Sequence, residues 1–83
     1  MDKILIQVFV PALGTAFDIF IPKRAHMWDV LELVKKAISE MAEGRFLVNE
    51  ETAICNRDDG TIININLSVE ELGLHNGSRL MLI

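Results

Sequence analysis

One stretch restricts this chain more than any other. Met27 to Met41, MWDVLELVKKAISEM, sets Met27, Val30, Leu31, Val34, Ala37, Ile38 and Met41 at steps of three and four. That spacing places all seven on one stripe of an α-helix. Asp29, Glu32, Lys35, Lys36, Ser39 and Glu40 fall on the other side, which suits water. A single helix with a single apolar stripe must bury it against something else, and the flanks supply β-prone runs. No Ser, Thr, Asp or Asn stands just before the stripe, so the N-cap signal is weak, although Asp29 favours the positive end of the helix dipole. Gly44 is placed to take the left-handed conformation that closes a helix.

Before the helix, Lys3 to Val10 alternates. Ile4, Ile6, Val8 and Val10 share one side, and Lys3, Leu5, Gln7 and Phe9 the other; this is a strand pattern. Pro11 to Thr15 is a turn, and Ala16 to Ile21 a second strand with Phe17, Ile19 and Ile21 inward and Asp18 and Phe20 outward. So short a connection makes an antiparallel hairpin, ended by Pro22. After the helix, Arg45 to Asn49 reads as a short strand and Asn49-Glu50-Glu51 as a polar turn. Thr52 to Asn56 is again β-prone. Arg57-Asp58-Asp59-Gly60 is a turn whose Asp-Gly suits type I′ geometry. Thr61 to Leu67 alternates Ile63, Ile65 and Leu67 against Asn64 and Asn66. Ser68, followed three residues later by Glu71, has the form of a capping box on one short helical turn. Leu74 to Gly77 turns into a last strand, Ser78 to Ile83, with Leu80 and Leu82 inward and Arg79, Met81 and Ile83 outward.

The expected fold class is α+β. First and last strands pair in parallel at the centre of a mixed sheet of four to five strands, with the one main helix across one face. This is a β-grasp arrangement filling residues 1–83 as a single domain. At 83 residues, 51% of them hydrophobic, the chain can build one small core.

Charge and composition exclude several functions. The net charge of −4 leaves no basic surplus for phosphates, so nucleic acid is not an expected partner. One cysteine allows no internal disulfide and fits a reducing compartment. The N-terminal run is short and broken by Gln7, unlike a signal peptide, and no apolar run approaches the ~20 residues that span a bilayer. The expected location is the cytoplasm, with recruitment to the inner face of the membrane only through a partner, and without direct insertion.

Sites for chemistry are scarce. Cys55 in a β-prone run reads as a small buried hydrophobe. His26 and His75 have no metal-ligand spacing with each other or with Cys55, and Asp58-Asp59-Gly60 lacks the further carboxylates of a calcium loop. Asn66-Leu67-Ser68 and Asn76-Gly77-Ser78 match a glycosylation sequon, but the second is better read as turn chemistry. No metal, cofactor or catalytic residue is expected, and the chain is not expected to be an enzyme. The outward sheet face carries more information. Leu5, Phe9, Phe20, Met81 and Ile83, with Gln7, Asp18 and Arg79 among them, would form an apolar patch of the kind that marks a protein partner site or a homodimer contact. A one-residue slip in register would turn the whole set inward. Trp28 and Leu33 lie off the helix stripe. Trp28 is either an interface anchor or a residue packed on the Pro11–Gly14 turn or the Asn49–Thr52 segment.

The order and its punctuation resemble the ubiquitin-like fold over essentially the whole chain. The most specific part is the closing run Val69-Glu70-Glu71-Leu72-Gly73-Leu74-His75-Asn76-Gly77-Ser78-Arg79-Leu80-Met81-Leu82. There a helical turn, an apolar anchor and an Asn-Gly turn precede a Leu-x-Leu strand. Val69, Leu72 and Leu74 would plug the bottom of the core, and Leu80 and Leu82 would bury beside Ile4 and Ile6. Within that superfamily the chain is most similar to the YukD-like small proteins of Gram-positive type VII secretion systems. The likeness lies in its length, in Phe17-Asp18-Ile19 running to Pro22, and in Leu74-His75-Asn76-Gly77. The segment Thr52 to Asn66 looks longer than in the smallest members. The resemblance implies a non-catalytic adapter or accessory protein whose partners include secretion-system membrane components. Ubiquitin uses its outward sheet face for partners, so the resemblance implies the same face here. Leu80-Met81-Leu82-Ile83 stands where conjugated modifiers and sulfur carriers have a slim Gly-Gly tail, so neither of those roles is expected. The alternative is a ubiquitin-like interaction domain outside secretion.

Overall fold

A computed structural model describes residues 2–43 and 52–83. Along the chain run β1 (Lys3–Val10), β2 (Thr15–Pro22), α1 (Met27–Met41), β3 (Ile54–Asn56) and β4 (Arg79–Leu82). The sheet order is β2-β1-β4-β3. β1 pairs antiparallel with β2 along its full length and parallel with β4, and β3 pairs antiparallel with β4. The two central strands are thus the first and last of the chain, with α1 across one face. The expected turn at Asn49–Glu51, the strand over Arg45–Asn49 and the conformation of Gly44 lie outside the described residues.

Alternation sorts the side chains as the sequence requires. Ile4, Ile6, Val8 and Val10 of β1, Ile19 and Ile21 of β2, Ile54 of β3 and Leu80 and Leu82 of β4 are buried beneath Met27, Val30, Leu31, Val34 and Ile38 of α1. Each fully buried aliphatic side chain contributes about 1.5–3 kcal/mol. A lone helix of this length is marginal in water, so α1 owes its stability to this packing. The stripe ends one residue differently from expectation. Met41 is 43% exposed, and Ala42, four residues beyond Ile38, takes the buried position.

The weak N-cap signal has a structural counterpart. His26 precedes α1 in an extended conformation and gives no side-chain cap. Two carbonyls from a distant loop take over instead. Met27 N–H donates to Leu67 C=O at 2.8 Å, and Trp28 N–H to Ile65 C=O at 3.0 Å. Two of the first turn's orphan donors are therefore met by backbone of Ile65 and Leu67. At the other end Glu43 is left-handed, at φ 53°.

Three further details differ from the sequence reading. Leu80 lies beside Val8 in the parallel ladder, not beside Ile4 or Ile6. The parallel register is fixed lower down, where Gly77 N–H donates to Leu5 C=O and Gln7 N–H to Ser78 C=O. The Asp59-Gly60 turn is not type I′, which needs positive φ at both central residues. Gly60 has φ +74°, but Asp59 does not share it. Instead Arg57–Gly60 form a four-residue loop closed by Asn56 N–H donating to Thr61 C=O at 2.8 Å. Thr61–Leu67 keeps its alternation, with Ile63 and Ile65 packed on the core, but forms only an isolated bridge between Cys55 and Ile62. Asn64 Oδ1 accepts from Asn66 N–H at 2.9 Å, an Asx turn that bends the backbone out of a strand.

The capping box is present. Glu71 N–H donates to Ser68 Oγ at 3.0 Å and Ser68 N–H to Glu71 Oε1 at 2.9 Å. Val69 is fully buried and Leu72 and Leu74 pack against the core, as the closing run implies.

Candidate partner-binding surface

The register defines the sheet face turned away from α1 row by row. Leu5 of β1 stands opposite Phe20 of β2. The next row holds Asp18, Gln7 and Arg79 from β2, β1 and β4. The row beyond it holds Ala16, Phe9 and Met81, with Cys55 of β3 opposite Met81. Ile83 follows past β4, pinned through paired backbone hydrogen bonds with Ala53 at 2.8 and 2.9 Å. Adjacent residues across a ladder share a face, so Leu5, Phe9, Phe20, Met81 and Ile83 all lie on this side.

The five do not form one continuous patch. A polar row separates the Leu5–Phe20 pair from the Phe9–Met81 pair. Phe20 is 60% exposed and Ile83 53% exposed, while Leu5, Phe9 and Met81 are half-buried. Two residues join the surface that the sequence reading did not place there. Ile62, across the bridge from Cys55, is 67% exposed at the β3 margin. It stood next to Ile63 in a run read only for its inward members. The other is Arg57. Its guanidinium carbon sits 4.2 Å from the centroid of the Phe9 ring, and its Nη1 donates to Gln7 Oε1 at 2.8 Å. The turn signal at Arg57–Gly60 gave no direction for that side chain, and only the fold carries it back over β1.

The electrostatics of this face differ from those of the chain as a whole. Lys3, Arg57 and Arg79 stand on it with Asp18 and Asp58, and Asp2 lines its edge beside Lys3 and Phe20, so the charges balance there on a chain of net charge −4. Arg79 Nη2 meets Asp58 Oδ1 at 2.6 Å. The exposed carboxyls of Asp59 and Glu71 are both held below the usual range. For Asp59 the main cause is the Thr61 backbone N–H, and for Glu71 the Ser68 backbone N–H. Cys55 is buried beneath its neighbours, and desolvation pushes its thiol up, away from the reactive thiolate.

Trp28 lies on the helix side and reaches the outer face only through Ile62, which borders both. Trp28 is exposed there, lining a groove of about 600 Å³ with Leu31, Ile54, Ile62, Ile63 and Ile65. Leu33 is also exposed on the helix. His75 turns its Nδ1 toward Asn76 C=O at 2.9 Å, beside the turn that carries Gly77.

No protein-family model matches the chain, and no curated protein matches it in sequence. Solved structures do match in fold. The ubiquitin-like domain of the Mycobacterium tuberculosis type VII secretion protein EccD1 superposes with a TM-score of 0.78 at 16% identity, covering 100% of this chain and 99% of that one. The EccD5 ubiquitin-like domain of Mycobacterium xenopi gives 0.70 at 18%, covering 100% and 94%. A chain of an ESX-5 inner membrane complex gives 0.71 at 18%; this chain is covered fully but spans only 21% of that larger one. Helix packing, strand order and these superpositions agree that the chain has the ubiquitin-like β-grasp fold, shared with ubiquitin-like domains of mycobacterial type VII secretion proteins.

Proposed function

We propose that this domain acts by non-covalent protein–protein contact through the outer face of its sheet, as an adapter or accessory part of a bacterial type VII secretion system. The observation that carries the reading is the set Leu5, Phe9, Phe20, Met81 and Ile83 on a sheet face over which no described element packs. Large apolar side chains left on one face of a small domain are what a partner would bury. The polar groups among them, Gln7, Arg57, Arg79 and Asp58, are engaged with one another, which suits a contact surface better than a reaction site.

The secretion setting is supported by the EccD ubiquitin-like domains of like fold and by the chain of an ESX-5 inner membrane complex that matches in fold. Secretion-system membrane components are accordingly the proposed partners. Among the described residues no helix is long and apolar enough to cross a membrane. In this reading the domain stays on the cytoplasmic side and is held at the membrane by its partner. Trp28, on the helix side, would serve as a second contact. An interaction domain outside secretion would use the same face with a different partner.

The test is recovery of an N-terminally tagged protein from its native cells, with intact-mass analysis and identification of co-purifying proteins. The expected result is an unmodified mass, secretion-system membrane proteins in the eluate, and their loss with Phe9→Asp or Met81→Asp. Recovery as covalent adducts of higher mass, or a partner set unchanged by both substitutions, would refute the proposal.

A further inference from the structure

Arg57 stands at the β3 margin, yet its guanidinium lies over β1, stacked on Phe9 and tied to Gln7. Its neighbour Arg79 is already matched by the Asp58 carboxylate. Among the described residues the partners of Arg57 are a ring and a neutral amide, so its charge is not offset by an anion. In the unbound domain Arg57 therefore lies over Phe9.

We propose that Arg57 sets what the outer face accepts: protein segments that place an Asp or Glu carboxylate beside an apolar side chain. The carboxylate draws the guanidinium off Phe9, and the apolar side chain takes its place against Phe9 and Met81. A guanidinium–carboxylate pair is charge-assisted and bidentate, and it outweighs one hydrogen bond to an amide plus an exposed cation–π contact. The charge pattern points the same way. Arg79 is held by Asp58, and Lys3 has Asp2 beside it at the Phe20 edge, which leaves Arg57, among the described residues, as the cation of this face without a carboxylate at hand. This inference rests on the outer face being the binding surface.

The experiment uses a library of short synthetic peptides with two fixed apolar residues, Leu and Phe, flanked by positions drawn from Glu, Gln and Lys. Selected peptides are measured against the whole domain by fluorescence anisotropy at low and high salt. Glu-flanked peptides should dominate, bind more weakly as salt rises, and weaken about tenfold with Arg57→Ala, with Arg57→Lys between the two. Gln-flanked versions should bind Arg57→Ala as well as the unaltered domain, or better, since Phe9 is then uncovered. Equal selection of Gln or Lys flanks, an Arg57→Ala loss that is the same for Glu and Gln peptides, or no binding at all would overturn the proposal. Phe9→Ala separates the two levels. If it abolishes binding while Arg57→Ala does not, the face stands and the role of Arg57 falls; if peptides bind regardless of Phe9→Ala and Met81→Ala, the face itself is wrong.

Discussion

Gly77 holds φ at +89° while its N–H donates to Leu5 C=O at 2.8 Å, so one residue both turns the chain and starts the parallel ladder. A Cβ there would meet no neighbour, but the left-handed backbone strains any L side chain. Gly77→Ala should therefore cost about 1 kcal/mol, read as a lowered urea midpoint with an unchanged slope. Ser68 and Glu71 close a reciprocal cap, and Ser68→Ala should likewise cost about 1 kcal/mol. Acid should act through Glu71 and Asp59. Their folded carboxyls are held below the unfolded values, so the stability they lend is present above those values and is lost as pH falls through the folded ones. Urea midpoints should start to drop below about pH 5 and keep falling as the pH passes under the ordinary carboxylate values, and Glu71→Ala together with Asp59→Ala should flatten that drop. Ser68-x-x-Glu71 was legible in the sequence because its function is local, and Asn76-Gly77 was legible as a turn but not as the anchor of Leu5, which lies far away along the chain. Arg57 was not, because its partners Phe9 and Gln7 lie about fifty residues away.

Among the elements, α1 and β1 run between the residues that periodicity alone indicates, since each has a single buried side and a regular period. Ile38 is fully buried near the end of α1, and Ile38→Ala should destabilise the domain by about 2–5 kcal/mol. That is a large part of the roughly 4–12 kcal/mol available to a chain of this size. Leu33→Ala, on the exposed side, should fall within about 0.5 kcal/mol. Chemical denaturation of the two variants tests which side of the helix carries the fold. Legibility falls after the helix. Thr61–Leu67 has the alternation of a strand, but the Asn64 side chain competes for backbone donors and ends it. The absent N-cap is likewise explained only by carbonyls of Ile65 and Leu67 that packing brings to Met27 and Trp28.

At the scale of the whole molecule, the sheet has two unlike faces. One buries its apolar side chains under α1; the other leaves Phe20, Ile83 and the Phe9–Met81 row without a covering element among the described residues. The alternation of β1, β2 and β4 revealed which residues share this outer face. It could not show that a polar row divides them, because that follows from cross-strand register. Nor could it show that Trp28 lies in a groove on the helix side. The most direct measurement places a photo-crosslinking side chain at position 81 on the outer face, and separately at position 36 on the exposed side of α1, in the native cells. The account predicts adducts to a partner protein from position 81 and none from position 36. Adducts from position 36 alone, or equally from both, would contradict it.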